Sequence, residues 1–169
     1  LSYLNQQGMR GEIIHGSAEY ISSRIRQLMT IEEACRKIRG ARLGIIGEPS
    51  DWLISSHADK DRVKERLGVE LIDIGMQELI DAVKSNGDIY EALKGVIGAY
   101  GLQGFTLRCF DLLTAVRDTG CMALAKLNAE GYVAGCEGDV PAMLSMMINR
   151  ALTGVSGFQA NPARINTET

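Results

Sequence analysis

The feature that most constrains this chain is a regular alternation of short apolar runs with longer amphipathic segments. Arg42–Ile46 and Tyr132–Cys136 are nearly continuous apolar runs, and each is followed by a glycine-containing turn. Between such runs, apolar residues recur every three or four positions, the spacing of a helix with one buried face. Strands that alternate with helices form parallel sheets through crossover connections. The sequence therefore predicts an α/β fold with a mostly parallel sheet.

The expected elements fill one doubly wound domain. Six segments are typical of strands: Glu12–His15, Arg42–Ile46, Val69–Asp73, Phe105–Phe110, Tyr132–Cys136 and Val155–Ala160. Helices are expected over Leu1–Gln7, after the cap Ser17, from the capping box Thr30–Glu33 to Arg39, over Asp59–Leu67 and Met76–Val83, from the cap Asp88 to Tyr100, over Gly120–Ala129, and from Pro141 onward. We expect a three-layer, Rossmann- or flavodoxin-like domain over residues 1–160, with 161–169 beginning a linker or a further domain.

Composition and charge exclude several classes of protein. The chain has 169 residues, of which 46% are hydrophobic and 23% charged, as in an ordinary globular domain. The net charge is −3, and the one basic cluster, Arg36–Arg42, falls near the end of a predicted helix, where it complements the helix dipole. We therefore expect no nucleic-acid partner. No apolar run approaches the ~20 residues that span a bilayer, so no membrane span is expected.

The four cysteines show no metal-binding or disulfide pattern. They are Cys35, Cys109, Cys121 and Cys136, with no CxxC pair and no His/Cys ligand spacing. Apolar residues surround them, which favours buried, reduced thiols in a cytoplasmic protein. His15 and His57 are isolated, and we interpret both as structural.

Three strand ends carry groups suited to chemistry, because ligands of open parallel sheets bind outside the carboxyl ends of the strands. After the first core strand, Ser50 or Asp51 is placed to cap a short helix whose N–H groups would hold a phosphate. Trp52 is either a core or interface anchor or a platform for a ligand. Arg108 and Asp111 form either an ion pair or a contact to substrate.

The third strand end carries two carboxylates. Glu137 directly follows the run Tyr132–Cys136 and would project at the end of that strand, beside the apolar core. An unpaired carboxylate in such a place binds a proton or a cation. Asp139 precedes Pro141 and has the signature of a helix N-cap. Glu137 is therefore the candidate functional carboxylate.

At this motif the chain resembles a known family. The segment Leu127–Ala142, LNAEGYVAGCEGDVPA, is similar to the part of L-fucose and L-arabinose isomerases that carries a metal-ligating glutamate. Arg42–Trp52 and Thr106–Leu112 also resemble fucose-isomerase-related proteins. The resemblance runs from Arg42 to about Asn161 and implies the middle α/β domain of a larger protein.

The resemblance implies a reaction and a metal. Family members interconvert an aldose and its ketose, an intramolecular redox reaction, through an enediol and with a divalent cation, usually Mn²⁺, held by two acidic groups and a histidine. Glu137 matches the first ligand, which also serves as acid or base. The second ligand follows 24 residues later, at Asn161, whose amide is neutral. The family histidine belongs to a C-terminal domain and matches neither histidine here.

These implications give one principal hypothesis and two alternatives. Because the chain begins at Leu1 rather than Met, we expect an excised piece of a longer parent, with the parent a homo-oligomer acting on a small sugar and the isolated chain inactive and without bound metal. Ser50, Trp52, Arg108 and Asp111 are its candidate substrate contacts. The alternatives are a non-catalytic sugar-binding or regulatory relative, which Asn161 favours, and an unrelated phosphate-binding domain using Gly44–Ser50.

Overall fold

A four-stranded, all-parallel sheet forms the centre of the protein. The computed structural model describes residues 2–9, 11–161 and 166–167. The strands are β1 (Arg42–Ile46), β2 (Glu70–Ile74), β3 (Gly104–Leu107) and β4 (Val133–Cys136). The helices of the described residues are α1 (Ser2–Gln6), α2 (Ala18–Ile38), α3 (Lys60–Leu67), α4 (Met76–Asn86), α5 (Ile89–Tyr100), α6 (Cys109–Val116), α7 (Cys121–Glu130) and α8 (Val140–Thr153).

Strand order places a topological switch point between β1 and β3. The order is β2-β1-β3-β4, so the chain leaves β1 in one direction and returns past it to β3. Ile46 is in register with both Ile74 and Leu107, and Leu107 with Cys136. All four carboxyl ends therefore meet at one edge of the sheet, where folds of this class bind ligands. The predicted doubly wound α/β domain is confirmed.

The strands are buried on both faces because helices cover each one. Leu43 and Ile45 face a core shared with α2, α3 and α8, where Met143 is fully buried. Phe105 and Leu107 face the opposite core, built from α4 to α7. Parallel strands covered on both sides read as continuous apolar runs, which is why β1 and β4 were visible in the sequence. No helix among the described residues has both the length and the apolar character to cross a membrane.

Two predicted strands do not form. Glu12–His15 lacks regular structure, and Glu12 instead accepts two 2.7 Å hydrogen bonds from Arg24 on α2. Val155–Ala160 runs beside the free edge of β4 without joining the sheet. The Gln159 amide there bonds to the backbone N–H and C=O of Cys136, at 2.8 and 3.1 Å. A side chain thus takes the backbone positions that a fifth strand would have paired.

Two predicted boundaries are also wrong. The expected capping box at Thr30 lies inside the continuous helix α2, where the Thr30 hydroxyl donates to the Arg26 carbonyl at 3.0 Å. The expected strand Phe105–Phe110 ends at Leu107, and helix α6 begins at Cys109. Leu112, fully buried on α6, continues the core one helical turn later. This early turn places Asp111 in the first turn of a helix.

Candidate functional site at the carboxyl edge

The loops after β1 and β4 are joined beneath the edge of the sheet. Ser50 is fully buried, and its hydroxyl donates a hydrogen bond to the Glu137 carbonyl. The hydroxyl of Ser56, also fully buried, donates to the Ser50 carbonyl. In this structure Ser50 therefore holds Glu137 in place, and a direct contact between Ser50 and a substrate stays a prediction.

Glycine is required at the point where the two loops touch. Gly138 has a φ of +63°, and a Cβ there would lie 2.7 Å from the Glu48 oxygen and 3.0 Å from the Ser50 nitrogen. Glu137 itself has a φ of 61°, in the left-handed region that costs a non-glycine residue roughly 1–2 kcal/mol. The Glu-Gly pair thus turns sharply at the end of β4. Strained backbone of this kind is often found at functional sites.

Glu137 and Asn161 come together although 24 residues separate them. Asn161 Nδ2 donates to Glu137 Oε1 at 2.9 Å. Glu137 is half-buried and Asn161 is exposed, so the pair is reached from solvent. The Asp139 carboxylate accepts from the Ala142 N–H at 2.8 Å and caps α8, as expected. Of the two carboxylates in this loop, Asp139 therefore serves as a helix cap and Glu137 does not.

Arg108 organises a second group of side chains at the switch point. Its guanidinium donates to the Pro49 carbonyl and to Asp51 Oδ1, both at 3.4 Å, and lies 4.8 Å from the centre of the Trp52 ring. Arg108 Nε lies 3.4 Å from Asp111 Oδ1 but makes no hydrogen bond with any described residue. The predicted ion pair between Arg108 and Asp111 is present, and it includes Asp51.

Aromatic rings extend this switch-point group to the surface. The Trp52 and Phe110 rings lie 5.6 Å apart, nearly edge to face, and about half of each residue is exposed. Trp52 is therefore not a core residue. Asp51 was predicted only as a possible helix cap, and Phe110 was not predicted as a member of a site, although each is adjacent in sequence to a predicted member.

A cleft of about 700 Å³ opens beside Arg108, at the ends of β1, β2 and β3. Its charged lining residues are Arg108 and the acidic Glu48, Asp73 and Asp111. Three carboxylates and one guanidinium disfavour a phosphate. They suit a polyhydroxylated or cationic ligand better.

The expected helix after Ser50 does not form. The first helix after β1 is α3, which begins at Lys60 and is capped by Asp59 rather than by Ser50 or Asp51. The Gly47 N–H donates to the Ile74 carbonyl at 2.9 Å and is not free to bind an anion. The helix N-terminus that was expected to hold a phosphate at this loop is therefore absent.

Two cysteines meet between the Arg108 and Glu137 loops. Cys109 Sγ and Cys136 Sγ lie 3.0 Å apart. The hydrogen bond from Cys136 lowers the pKa of the Cys109 thiol to about 6, against the effect of burial and with help from the Glu137 backbone N–H. The same hydrogen bond and burial raise the pKa of Cys136. Cys35 and Cys121 are exposed, so the prediction that all four thiols are buried is wrong for these two.

Comparison with known proteins points toward sugar isomerases. No family model matches the chain. It is 34% identical over 79 residues to a sulfoquinovose isomerase of Clostridium sp. (strain MSTE9), an alignment that covers 46% of this chain and 18% of that protein. It is 23% identical over 164 residues to the sulfoquinovose isomerases of Priestia aryabhattai and Priestia megaterium (strain ATCC 12872 / QMB1551), covering 79% of this chain and 37% of each.

The similarity is broad but low. The chain spans about a third of the length of the Priestia relatives that it matches. It is thus similar, at low identity, to part of a group of sugar isomerases.

Proposed function

We propose that this chain is the middle α/β domain of a longer, metal-dependent aldose–ketose isomerase of the L-fucose and L-arabinose isomerase type. Its similarity to sulfoquinovose isomerases supports a role in sugar isomerisation. The observation that carries the proposal is the contact between Glu137 and Asn161 at the carboxyl edge of the sheet. The family resemblance assigns metal ligands to these two positions, and the fold brings them together.

The residues present suit a hard divalent cation in kind. Carboxylate and amide oxygens are preferred by Mn²⁺ and Mg²⁺. The Asn161 amide, which now turns Nδ2 toward Glu137, would present its oxygen after a half-turn about its terminal bond. No cluster of three His, Cys, Asp or Glu side chains suited to a metal occurs among the described residues, so Glu137 and Asn161 would be part of a larger ligand set. When bound, the cation would polarise the sugar oxygens as a Lewis acid.

Glu137 would move the proton in this reaction. Isomerisation of an aldose shifts hydrogen between adjacent carbons, and this requires a base that later returns the proton. The Glu137 carboxylate has its backbone held by Ser50 and one oxygen bonded to Asn161. Asn161 is neutral and cannot take the role of a base. Glu137 is therefore the residue of this chain that would take up the proton and return it.

The switch-point group would bind the sugar. A sugar ring has apolar C–H faces and a rim of hydroxyls, so it is bound by aromatic rings together with charged hydrogen-bonding groups. Trp52 offers a half-exposed ring, and Arg108 and Asp111 offer donors and acceptors beside the cleft. Arg108 is held in place by Asp51, which would fix the orientation of the guanidinium.

The parent is proposed to be a cytoplasmic homo-oligomer. Exposed apolar side chains lie along the middle of α2, where Ile25 is 46% and Met29 66% exposed. A stripe of this kind is typical of surfaces that meet a neighbouring domain or subunit.

The test is isomerase activity of the longer protein that contains this chain. Ketose formation from L-fucose, L-arabinose and sulfoquinovose would be measured with added Mn²⁺, for the unchanged protein and for Glu137→Gln. We expect turnover to be lost in Glu137→Gln, by at least about a thousandfold, because the variant removes both a base and a ligand charge. The control is Glu70→Gln at the opposite edge of the sheet, where Glu70 pairs with Arg42.

A second candidate function is a non-catalytic sugar-binding or regulatory relative. Asn161 favours it, because an amide in place of a carboxylate weakens binding of a cation. Sugar binding without turnover in the unchanged longer protein would establish this candidate. Equal turnover by the unchanged protein and Glu137→Gln would remove Glu137 from the mechanism.

A further inference from the structure

Cys109 and Cys136 are brought together by strand register. Leu107 of β3 is paired with Cys136 of β4, and Cys109 begins α6 two residues beyond Leu107. The two sulfur atoms lie 3.0 Å apart, in the layer between the Arg108 loop and the Glu137 loop. A small movement of either side chain would bring them to the ~2.05 Å of a disulfide.

We propose that Cys109 and Cys136 are a redox-active dithiol, oxidised to an intramolecular disulfide by hydrogen peroxide or a similar small peroxide. The proposal concerns a modification site and does not depend on isomerase activity. It rests on the sulfur contact and on the position of Cys109 as the first residue of α6.

Cys109 is the nucleophile of the pair. It is the first residue of α6, and the positive end of a helix dipole stabilises a thiolate. The sulfur of Cys136 lies 3.0 Å from that of Cys109, within hydrogen-bonding distance. Cys109 is 8% exposed, which admits a small oxidant more readily than a large one.

Cys136 is the resolving thiol. It is the last residue of β4 and so lacks the helix N-terminus that stabilises a thiolate at Cys109, and its sulfur is within reach of the Cys109 sulfur. It lines a cavity of about 430 Å³ together with Cys121 and Gln159, which gives a path from solvent to Cys136. Cys121 is exposed and belongs to α7, outside the sulfur contact.

The reaction needs only the peroxide as co-reactant. The Cys109 thiolate attacks one peroxide oxygen; the S–O bond forms as the O–O bond breaks, and the leaving hydroxide takes a proton to become water. The Cys136 sulfur then attacks the Cys109 sulfur, the S–S bond forms, the S–O bond breaks, and a second water leaves with the Cys136 proton. Two thiols are oxidised and one peroxide is reduced to two waters.

The first experiment uses the unchanged chain. It would be treated with a small excess of hydrogen peroxide, blocked with a maleimide, digested without reduction and mapped by mass spectrometry. We expect a cross-linked peptide pair containing Cys109 and Cys136, with Cys35 and Cys121 labelled by maleimide. Labelling of all four cysteines, or cross-links only through Cys35 or Cys121, would overturn the proposal.

The second experiment separates the two roles in the Cys35→Ser/Cys121→Ser background. Adding Cys136→Ser should leave a sulfenic acid on Cys109 that dimedone traps, whereas adding Cys109→Ser should leave a thiol that reacts several-fold more slowly with peroxide. Circular dichroism would verify that each variant is folded. Equal peroxide reactivity of the two single-thiol variants would contradict the assignment of Cys109 as the nucleophile.

Discussion

The two groups of side chains at the carboxyl edge differ in how completely they are neutralised. At the switch point, Arg108 is bonded or paired to the Pro49 carbonyl, Asp51 and Asp111 and lies near Trp52. At the end of β4, the Glu137 carboxylate has a neutral partner, Asn161. A charge paired within the fold stabilises the free protein and offers little further attraction to an ion. A charge with a neutral partner keeps its attraction for a cation, and this difference supports the proposal of a metal at Glu137 and a sugar beside Arg108.

We expect the largest loss of stability from Gly138→Ala, because Gly138 lies where the loops after β1 and β4 touch. Its Cβ would meet the Glu48 oxygen at 2.7 Å, in a left-handed conformation. We expect the free energy of unfolding, measured in urea, to fall by about 3 kcal/mol.

The matched control is Gly87→Ala, where φ is likewise positive, at +70°, but no atom lies within 4 Å of the added Cβ. That variant should lose only about 1 kcal/mol, the cost of the backbone conformation alone. Equal losses for the two variants would show that the contact between the loops carries no strain.

Asn161→Asp sharpens the difference between the two groups. A second carboxylate beside Glu137 adds charge and a hard oxygen ligand, so affinity for Mn²⁺ should rise at least about tenfold in the isolated chain. Calorimetry would compare it with the unchanged chain, for which we expect binding no tighter than about millimolar, because further ligands are required. Micromolar binding by the unchanged chain would contradict the proposed incomplete ligand set.

Arg108→Ala tests the group of paired side chains around Arg108 at the switch point. The loss of its pairs with Asp51 and Asp111 should lower the free energy of unfolding by about 1–2 kcal/mol, since Arg108 is largely buried and its partners more exposed. The protein has one tryptophan, Trp52, so its fluorescence should change as the guanidinium leaves the ring. Arg108→Lys keeps the positive charge but not the planar guanidinium with its several N–H donors, and it should recover only part of the stability. An unchanged emission spectrum would argue against the contact with Trp52.

A further expected effect is a pH dependence of stability that arises between the two groups, at Cys109. The folded pKa of Cys109, about 6, lies below its ordinary value of 9.0 because Cys136 and the Glu137 N–H donate to the thiolate, while the Glu137 charge opposes this. Between these values the unfolded chain binds more protons, so this stabilising contribution grows as pH rises from 6 to 9 and is lost below 6.

Cys136 acts in the opposite direction at higher pH. Its pKa is raised by the hydrogen bond to Cys109 and by burial, with a smaller effect of Cys121, so its contribution is lost as pH rises above its ordinary value. Urea unfolding across pH 6–9 should therefore show a slope that Cys109→Ser flattens. An identical slope in Cys109→Ser would rule out Cys109 as its source.

The sequence predicted those features that depend on a few adjacent residues, such as a helix cap, or on a continuous apolar run, such as a buried strand. The limits of β1 match the prediction, and Asp88 and Asp139 cap helices as predicted, through bonds to backbone N–H groups three residues later. Such signals depend on a few adjacent residues. The early end of β3 was not predictable in this way, because Phe105–Phe110 contains no glycine or proline to mark the change from strand to helix.

Contacts that depend on register were also outside the reach of sequence reasoning. The sulfur contact needs Leu107 opposite Cys136, and the bond of Ser50 to Glu137 needs the β1 and β4 loops to meet across the end of β3. Neither the sulfur contact nor this hydrogen bond can be predicted from the spacing of the residues along the chain. Glu137 and Asn161 were found together only because a family resemblance supplied a distant pair of positions.

The side-chain amides along β4 have a consequence for how this protein behaves in a crowded solution. Asn128 bonds both backbone groups of Ala134, at 3.0 and 2.8 Å, and Gln159 does the same at Cys136. A strand from another molecule would have to displace both side-chain amides before it could pair with the free edge of β4. The fold therefore resists aggregation by strand addition at β4 with two neutral side chains, and needs neither a charge nor a proline there.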